Sequence, residues 1–165
     1  MKNFLISVII MSIVSGCTSS KPDAEENIAV VEKYVQAVQN EDYETMESLL
    51  GEEYYGYGPS YNDSISRSDA LSAWKENISN LYESIVYEKS RNLSQVVTDG
   101  PNKGNWVSNY AQLSINYQDG RGPVKIWANT VYKLEDGKIV KSYTFYNEAD
   151  ALRQLGYVFI NPNDL

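Results

Sequence analysis

Asp136-Gly137 constrains this chain more than any other pair of residues in it. A type I′ turn needs positive φ at both central residues, and Asp-Gly between two alternating runs meets that need. Val124 to Leu134 alternates and is rich in β-branched and aromatic residues; Lys138 to Tyr146 returns. Counting outward from the turn pairs Leu134 with Ile139, Tyr132 with Lys141, Thr130 with Tyr143, Ala128 with Phe145 and Ile126 with Asn147. Side chains alternate with period two, so these ten share one face. It is the more apolar face and is expected to look inward, with Lys141 and Asn147 as polar exceptions. Small Ala128 and Thr130 beside large Tyr143 would leave room for a cavity. The opposite face carries Trp127 and Tyr146 as neighbouring aromatics on an otherwise polar surface, the pattern of an interface.

The remaining elements follow from spacing. Asp23 with Glu26 forms a capping-box pattern, and Ile28, Val31, Val35 and Val38 recur on one helical face. Asp42 opens a second, short helix with Met46, Leu49 and Leu50, stopped by Gly51. Glu52 to Tyr57 reads as a strand ended by Gly58-Pro59, and Tyr61 to Ser64 as a loop. Ile65-Ser66-Arg67-Ser68-Asp69 resembles a staple plus a capping box, opening a third helix with Leu71, Trp74, Ile78 and Leu81 as its stripe. Long strands are expected at Ile85–Thr98 and Trp106–Tyr117. Pairing Gln118 with Pro123 puts Ala111, Leu113, Ile115 and Tyr117 on the face of Ile126, Ala128 and Thr130. Two hairpins then agree on which face is inner. Asn147 to Gly156 closes the chain as a short helix. The expected fold class is α+β, three N-terminal helices and one short C-terminal helix on a curved antiparallel sheet.

The first residues read differently. Lys2 gives a positive start, Phe4 to Val14 is apolar, and Val14-Ser15-Gly16-Cys17 comes next. The run is too short to span a bilayer and reads as a secretion signal. The expected organisation is a signal over 1–16, Cys17 with a polar tether to Pro22, and one domain over 23–165. Net charge is −8, with 14 basic and 22 acidic residues, which argues against nucleic acid and anionic lipid surfaces as partners. There is no histidine and one cysteine. That excludes His-based triads and nearly all zinc sites, and no intrachain disulfide can form. No cofactor or metal is expected.

Two resemblances extend this reading. Val14-Ser15-Gly16-Cys17 resembles the lipobox of bacterial lipoproteins, which implies cleavage before Cys17 and its lipidation. Thr18 after the cysteine implies sorting to the outer membrane of a Gram-negative cell. The order of elements, the Gly137-Lys138-Ile139 turn and the Gln154-Leu155-Gly156 ending resemble the NTF2-like superfamily, nearest to SnoaL-like polyketide cyclases and ketosteroid isomerases. The resemblance covers about Asp23 to Gly156 and implies a cone with a pocket between helices and concave sheet. It also implies dimerisation through the outer sheet face, here the one carrying Trp127 and Tyr146.

Carried over residue by residue, the ketosteroid isomerase oxyanion tyrosine falls on Tyr34 and its base aspartate on Gly58. The acidic residue that SnoaL-like cyclases place after the last strand falls on Asn147. Neither glycine nor an amide moves a proton near neutral pH. The expected function is therefore a non-catalytic envelope lipoprotein that binds a small apolar or amphipathic molecule, or a protein partner. Tyr34, Tyr55, Tyr57, Trp74, Tyr143 and Asn147 are its candidate lining. One alternative is an isomerase, dehydratase or cyclase with a relocated base, for which Glu53, Asp63 and Asp150 are candidates. Another is a pocketless assembly module. Tyr34 and Trp74 also suit plain core packing, the cluster Tyr54, Tyr55 and Tyr57 suits strand packing or a carbohydrate platform, and Asn147 suits a helix cap.

Overall fold

The computed structural model describes residues 24–164. The expected signal over 1–16, Cys17 with its expected tether, and Asp23, expected to cap the first helix, lie outside the described residues. Helix α1 spans Ala24–Gln39 and buries Val31, Tyr34, Val35 and Val38 along one face, as the helical spacing requires. Helix α2 (Tyr43–Leu49) begins at Asp42, whose side chain accepts from the Thr45 amide. It passes directly into β1 (Leu50–Tyr57), so Gly51 lies inside a strand instead of stopping the helix. A three-residue strand β2 (Ser64–Ser66) starts at the last residue of the expected loop and takes in Ile65 and Ser66, expected to open the third helix. Helix α3 (Arg67–Asn80) is capped by Ser66, which accepts from the Asp69 amide and donates to its carboxylate at 2.7 Å. Leu71 is buried on α3, but Leu81 lies past its end and is exposed.

Strands β3 (Tyr82–Val97), β4 (Gly104–Tyr117), β5 (Val124–Glu135) and β6 (Lys138–Tyr146) complete a six-stranded sheet in the order β2-β1-β6-β5-β4-β3. Among the described residues the class is α+β, with four α-helices and a mixed sheet rather than an antiparallel one. Strand β1 runs parallel to β6. Asp136 and Gly137 take φ of 50° and 71°, the left-handed pair that the turn demands.

Faces follow the pleat on β4 and β5 but switch on β6. Ile115 pairs with Val124, two residues from the register expected, and an even slip keeps every side chain on its face. On β6 the pairing moves by one. Leu134 faces Ile139, but Lys133 faces Lys141 and Tyr132 faces Ser142, leaving Val140 as an extra residue. A one-residue bulge inverts the remainder of the strand. Ser142, Thr144 and Tyr146 therefore look inward; Lys141, Tyr143 and Phe145 look outward.

The buried core has two parts. Val31, Val35, Met46, Leu50, Val107, Leu134 and Ile139 belong to one. Ile85, Ile115, Val124, Ile126 and Ala151 belong to the other. Trp74 and Tyr87 pack against both. Helix α4 (Glu148–Gln154) covers the second part. Gln154 docks it by accepting from the Lys125 amide and donating to the Lys125 carbonyl, each at 2.9 Å. The glutamine side chain thus pairs with β5 as a neighbouring strand would, which gives the Gln-Leu-Gly ending a structural reason.

Candidate functional site

Between the two parts of the core lies a cavity of about 410 Å³. Helix α3 contributes Ala70, Ala73 and Trp74; the inner sheet face contributes Asn109, Ala128, Thr130, Ser142 and Thr144; α4 contributes Ala151 and Leu152, and its C-cap Leu155 adds to them. The small residues Ala128 and Thr130 border the space, as their size suggested. Its walls are rich in tyrosine: Tyr34, Tyr54, Tyr82, Tyr87, Tyr132 and Tyr146 all border it.

Part of the polar wall is already paired. Tyr54 Oη and Ser142 Oγ share a hydrogen bond of 2.8 Å, and Thr130 and Thr144 share one of 3.2 Å. Gly56 makes the first pair feasible, since a Cβ there would press on the Tyr54 hydroxyl. Tyr34 and Tyr132 meet edge to face with centroids 5.9 Å apart.

Burial sets the protonation of these phenols. It pushes Tyr34 and Tyr132 well above the ordinary tyrosine value, and their neighbours' hydroxyls add to the effect. Tyr54 is also raised by burial, which outweighs its bond to Ser142. Burial pushes Tyr82 and Tyr87 up to about 12. The wall therefore offers neutral hydroxyls across the physiological range. A phenol whose value is higher in the fold than in the open chain stabilises fully below its unfolded value of about 10 and less as pH rises toward the folded one. Urea unfolding at about pH 11 should thus give a lower midpoint than at about pH 8. An unchanged midpoint would mean that phenolates are tolerated inside.

The structure separates the sequence candidates. Tyr34, Tyr57 and Trp74 border the cavity. The Tyr57 ring, however, stacks on Tyr143 at 5.0 Å, and Tyr55 packs beside it at 5.3 Å. Tyr55 and Tyr143 do not border the cavity. Tyr55 is displaced by strand parity, since Tyr54 and Gly56 take the inward positions of β1, and Tyr143 by the bulge at Val140. Lys141 lies on the outer face with Nζ 5.8 Å from the Tyr57 ring centroid. Asn147 caps α4, its Oδ1 accepting from the Asp150 amide at 3.1 Å, and it does not border the cavity. Tyr146 is not on the outer face with Trp127, because the same bulge turns it inward to the cavity.

The acidic candidates are elsewhere too. Glu53 and Asp63 are exposed, Asp150 is partly buried and accepts from Gln154, and none borders the cavity. Among the described residues the one charged side chain at the cavity is the exposed Glu148 in the first turn of α4. Among them, no group of three potential ligands could hold a metal. Asn109 and Tyr87 are cavity residues that spacing and resemblance do not single out. Asn109 carries a signal, a polar residue at an inward position on β4 next to Ala111 and Leu113.

No family model and no curated protein matches the sequence. Solved structures do match by fold. A candidate polyketide cyclase from Xanthomonas campestris pv. campestris superposes with a TM-score of 0.65 at 13% identity, covering 80% of this chain and 98% of that one. A candidate SnoaL-like polyketide cyclase from Shewanella denitrificans gives 0.59 at 12% identity, covering 79% and 96%. An LEH-like epoxide hydrolase from M. tuberculosis gives 0.58 at 19% identity, covering 81% and 92%. The chain has the NTF2-like fold. Two of these solved structures carry polyketide-cyclase names and share that fold with the chain.

Proposed function

We propose that this domain is a non-catalytic binder of a small apolar or amphipathic molecule. The observation that carries the reading is a cavity of about 410 Å³ walled by neutral hydroxyls and apolar groups, with no carboxylate at either position where the resembling enzymes keep a base. Gly58 stands at one position and the capping amide of Asn147 at the other. Pockets that bind without reacting need shape and a few placed polar groups, and this one has both. A thermal-shift screen of sterols, aromatic polyketide-like compounds, fatty acids and oligosaccharides tests it. A ligand at about 100 times its dissociation constant adds roughly 2.7 kcal/mol. A clear shift with unchanged ligand recovered afterwards supports a binder. Conversion of the ligand, or silence across the library, sinks the reading.

The carrier is a lipoprotein held at the outer membrane through Cys17 on a short tether. A Cys17→Ala chain is expected to leave the detergent phase in a partition assay, and one that stays there speaks against the anchor.

The outer sheet face pairs two copies of the chain. Trp127 and Phe145 are 66% and 57% exposed there, and exposed Tyr110 lies in the same row as Phe145, the two flanking Asn129 two residues along β5 from Trp127. Exposed aromatics so close together are costly in a monomer. Gel filtration should resolve a dimer, and Trp127→Glu should elute as a monomer. A variant that co-elutes with the parent dimer would move the interface elsewhere.

A further inference from the structure

Asn109 is 3% exposed, lies on the inward face of β4 and borders the cavity. Its amide is held by a chain of hydrogen bonds that begins at the surface. The Glu32 carboxylate of α1 accepts from Asn92 Nδ2 at 3.2 Å, which fixes Asn92 with its Oδ1 as the acceptor. Asn92 Oδ1 then accepts from Asn109 Nδ2 at 2.8 Å, and Ser90 Oγ accepts from the same nitrogen at 2.8 Å. Both N–H bonds of Asn109 are spent on β3. The β3 bulge between Glu88 and Arg91 makes this feasible by presenting Ser90 as well as Asn92 to the same amide. What Asn109 has left is Oδ1, which accepts from no described residue. An amide at an ordinary site can turn over to suit a ligand; this one is pinned by its neighbours and offers only an acceptor.

Two further polar residues border the same cavity. The hydroxyls of Tyr34 and Tyr87 make no hydrogen bond to a described side chain, and burial keeps both protonated, so each can donate. Among the described residues no lysine or arginine borders the cavity, and Glu148 adds a negative charge to its margin. A carboxylate ligand would meet one fixed acceptor, a like charge and no cation.

We propose that the cavity selects uncharged molecules carrying a hydroxyl, an alcohol or phenol, with its O–H donated to Asn109 Oδ1 and its oxygen open to a tyrosine hydroxyl. A ketone or ether satisfies the tyrosines and leaves Asn109 Oδ1 unpaired; a hydroxyl satisfies both. A site built to pair with a ligand's O–H discriminates sharply against the analogue that lacks it. The proposal rests on the reading of the cavity as a binding site.

The test is titration calorimetry of the full chain with β-naphthol, its methyl ether and β-naphthoate at neutral pH. β-Naphthol should bind roughly tenfold or more tightly than the ether, and the naphthoate should bind more weakly than β-naphthol. In Asn109→Leu the advantage of the naphthol over the ether should disappear while the ether still binds. An ether or a naphthoate that binds the parent chain as tightly as the naphthol overturns the selectivity and leaves the binding site standing. Failure of all three to bind overturns both. The parent-chain comparison decides the matter even where Asn109→Leu does not fold.

Discussion

Gly58→Asp should strongly destabilise the domain rather than give it a base. Gly58 holds φ of +94°, a region where a side chain costs roughly 1–2 kcal/mol. A Cβ there would also meet the carbonyl oxygen of Thr144 on β6, a backbone atom that cannot swing aside. Forcing that contact costs about another 1–3 kcal/mol. The sum, about 3 kcal/mol, is a large share of the stability of an ordinary domain. It corresponds to a fall of about 10 °C in Tm for a domain of this size. Thermal unfolding of Gly58→Ala and Gly58→Asp checks this, and the alanine variant should show most of the loss, because shape rather than charge is at fault. An aspartate variant as stable as its parent would mean that β1 ends differently. The position on which the resemblance places a base therefore has a backbone set for glycine.

Ala128→Phe should abolish ligand binding and leave the fold intact. Ala128 borders the cavity and lies between Ala111 and Tyr146 in the sheet register. A benzyl group built there points into the void that a ligand would use. Affinity for any cavity ligand should drop by at least about a hundredfold, or ~2.7 kcal/mol. Stability should change by no more than about 1 kcal/mol, because the ring fills space instead of displacing packed atoms. Calorimetry with β-naphthol and a melt of the same sample read both quantities. Retained affinity would put the ligand outside the cavity, and the exposed aromatics around Trp127 would be the next place to look.

The outline of this fold is local in the sequence; the lining of its cavity is not. Asp136-Gly137 dictates its own turn, and alternation on β4 and β5 survives a two-residue slip because the pleat has period two. Helix caps at Asp42, Ser66 and Asn147 act within three residues of themselves. The bulge at Val140 has no such signature. Valine suits a regular strand, and Lys141, Tyr143 and Phe145 make a more apolar set than Ser142, Thr144 and Tyr146. Burial alone would turn the first set inward. The hydroxyls win because they have partners there: Ser142 meets Tyr54, and Thr144 meets Thr130. A cavity wall rewards paired polar groups where a filled core rewards apolar ones. For the same reason three of six candidate lining residues, Tyr55, Tyr143 and Asn147, belong to the wrong face or to a cap. The parallel seating of β1 beside β6 is equally hidden, since nothing in β1 names a strand so distant.

That seating also has a consequence for the order in which the domain can assemble. The Tyr54–Ser142 bond closes a stretch of 88 residues, and β1 and β2 join the sheet only through β6. Contacts that distant must meet the entropy of closing a long loop before they return anything, which slows folding. Leu50 and Tyr54 share their core with residues of the early helices and with Leu134 and Ile139, and that core is complete only when β6 arrives. The sheet consequently cannot be completed until β6, its last strand in chain order, has been made.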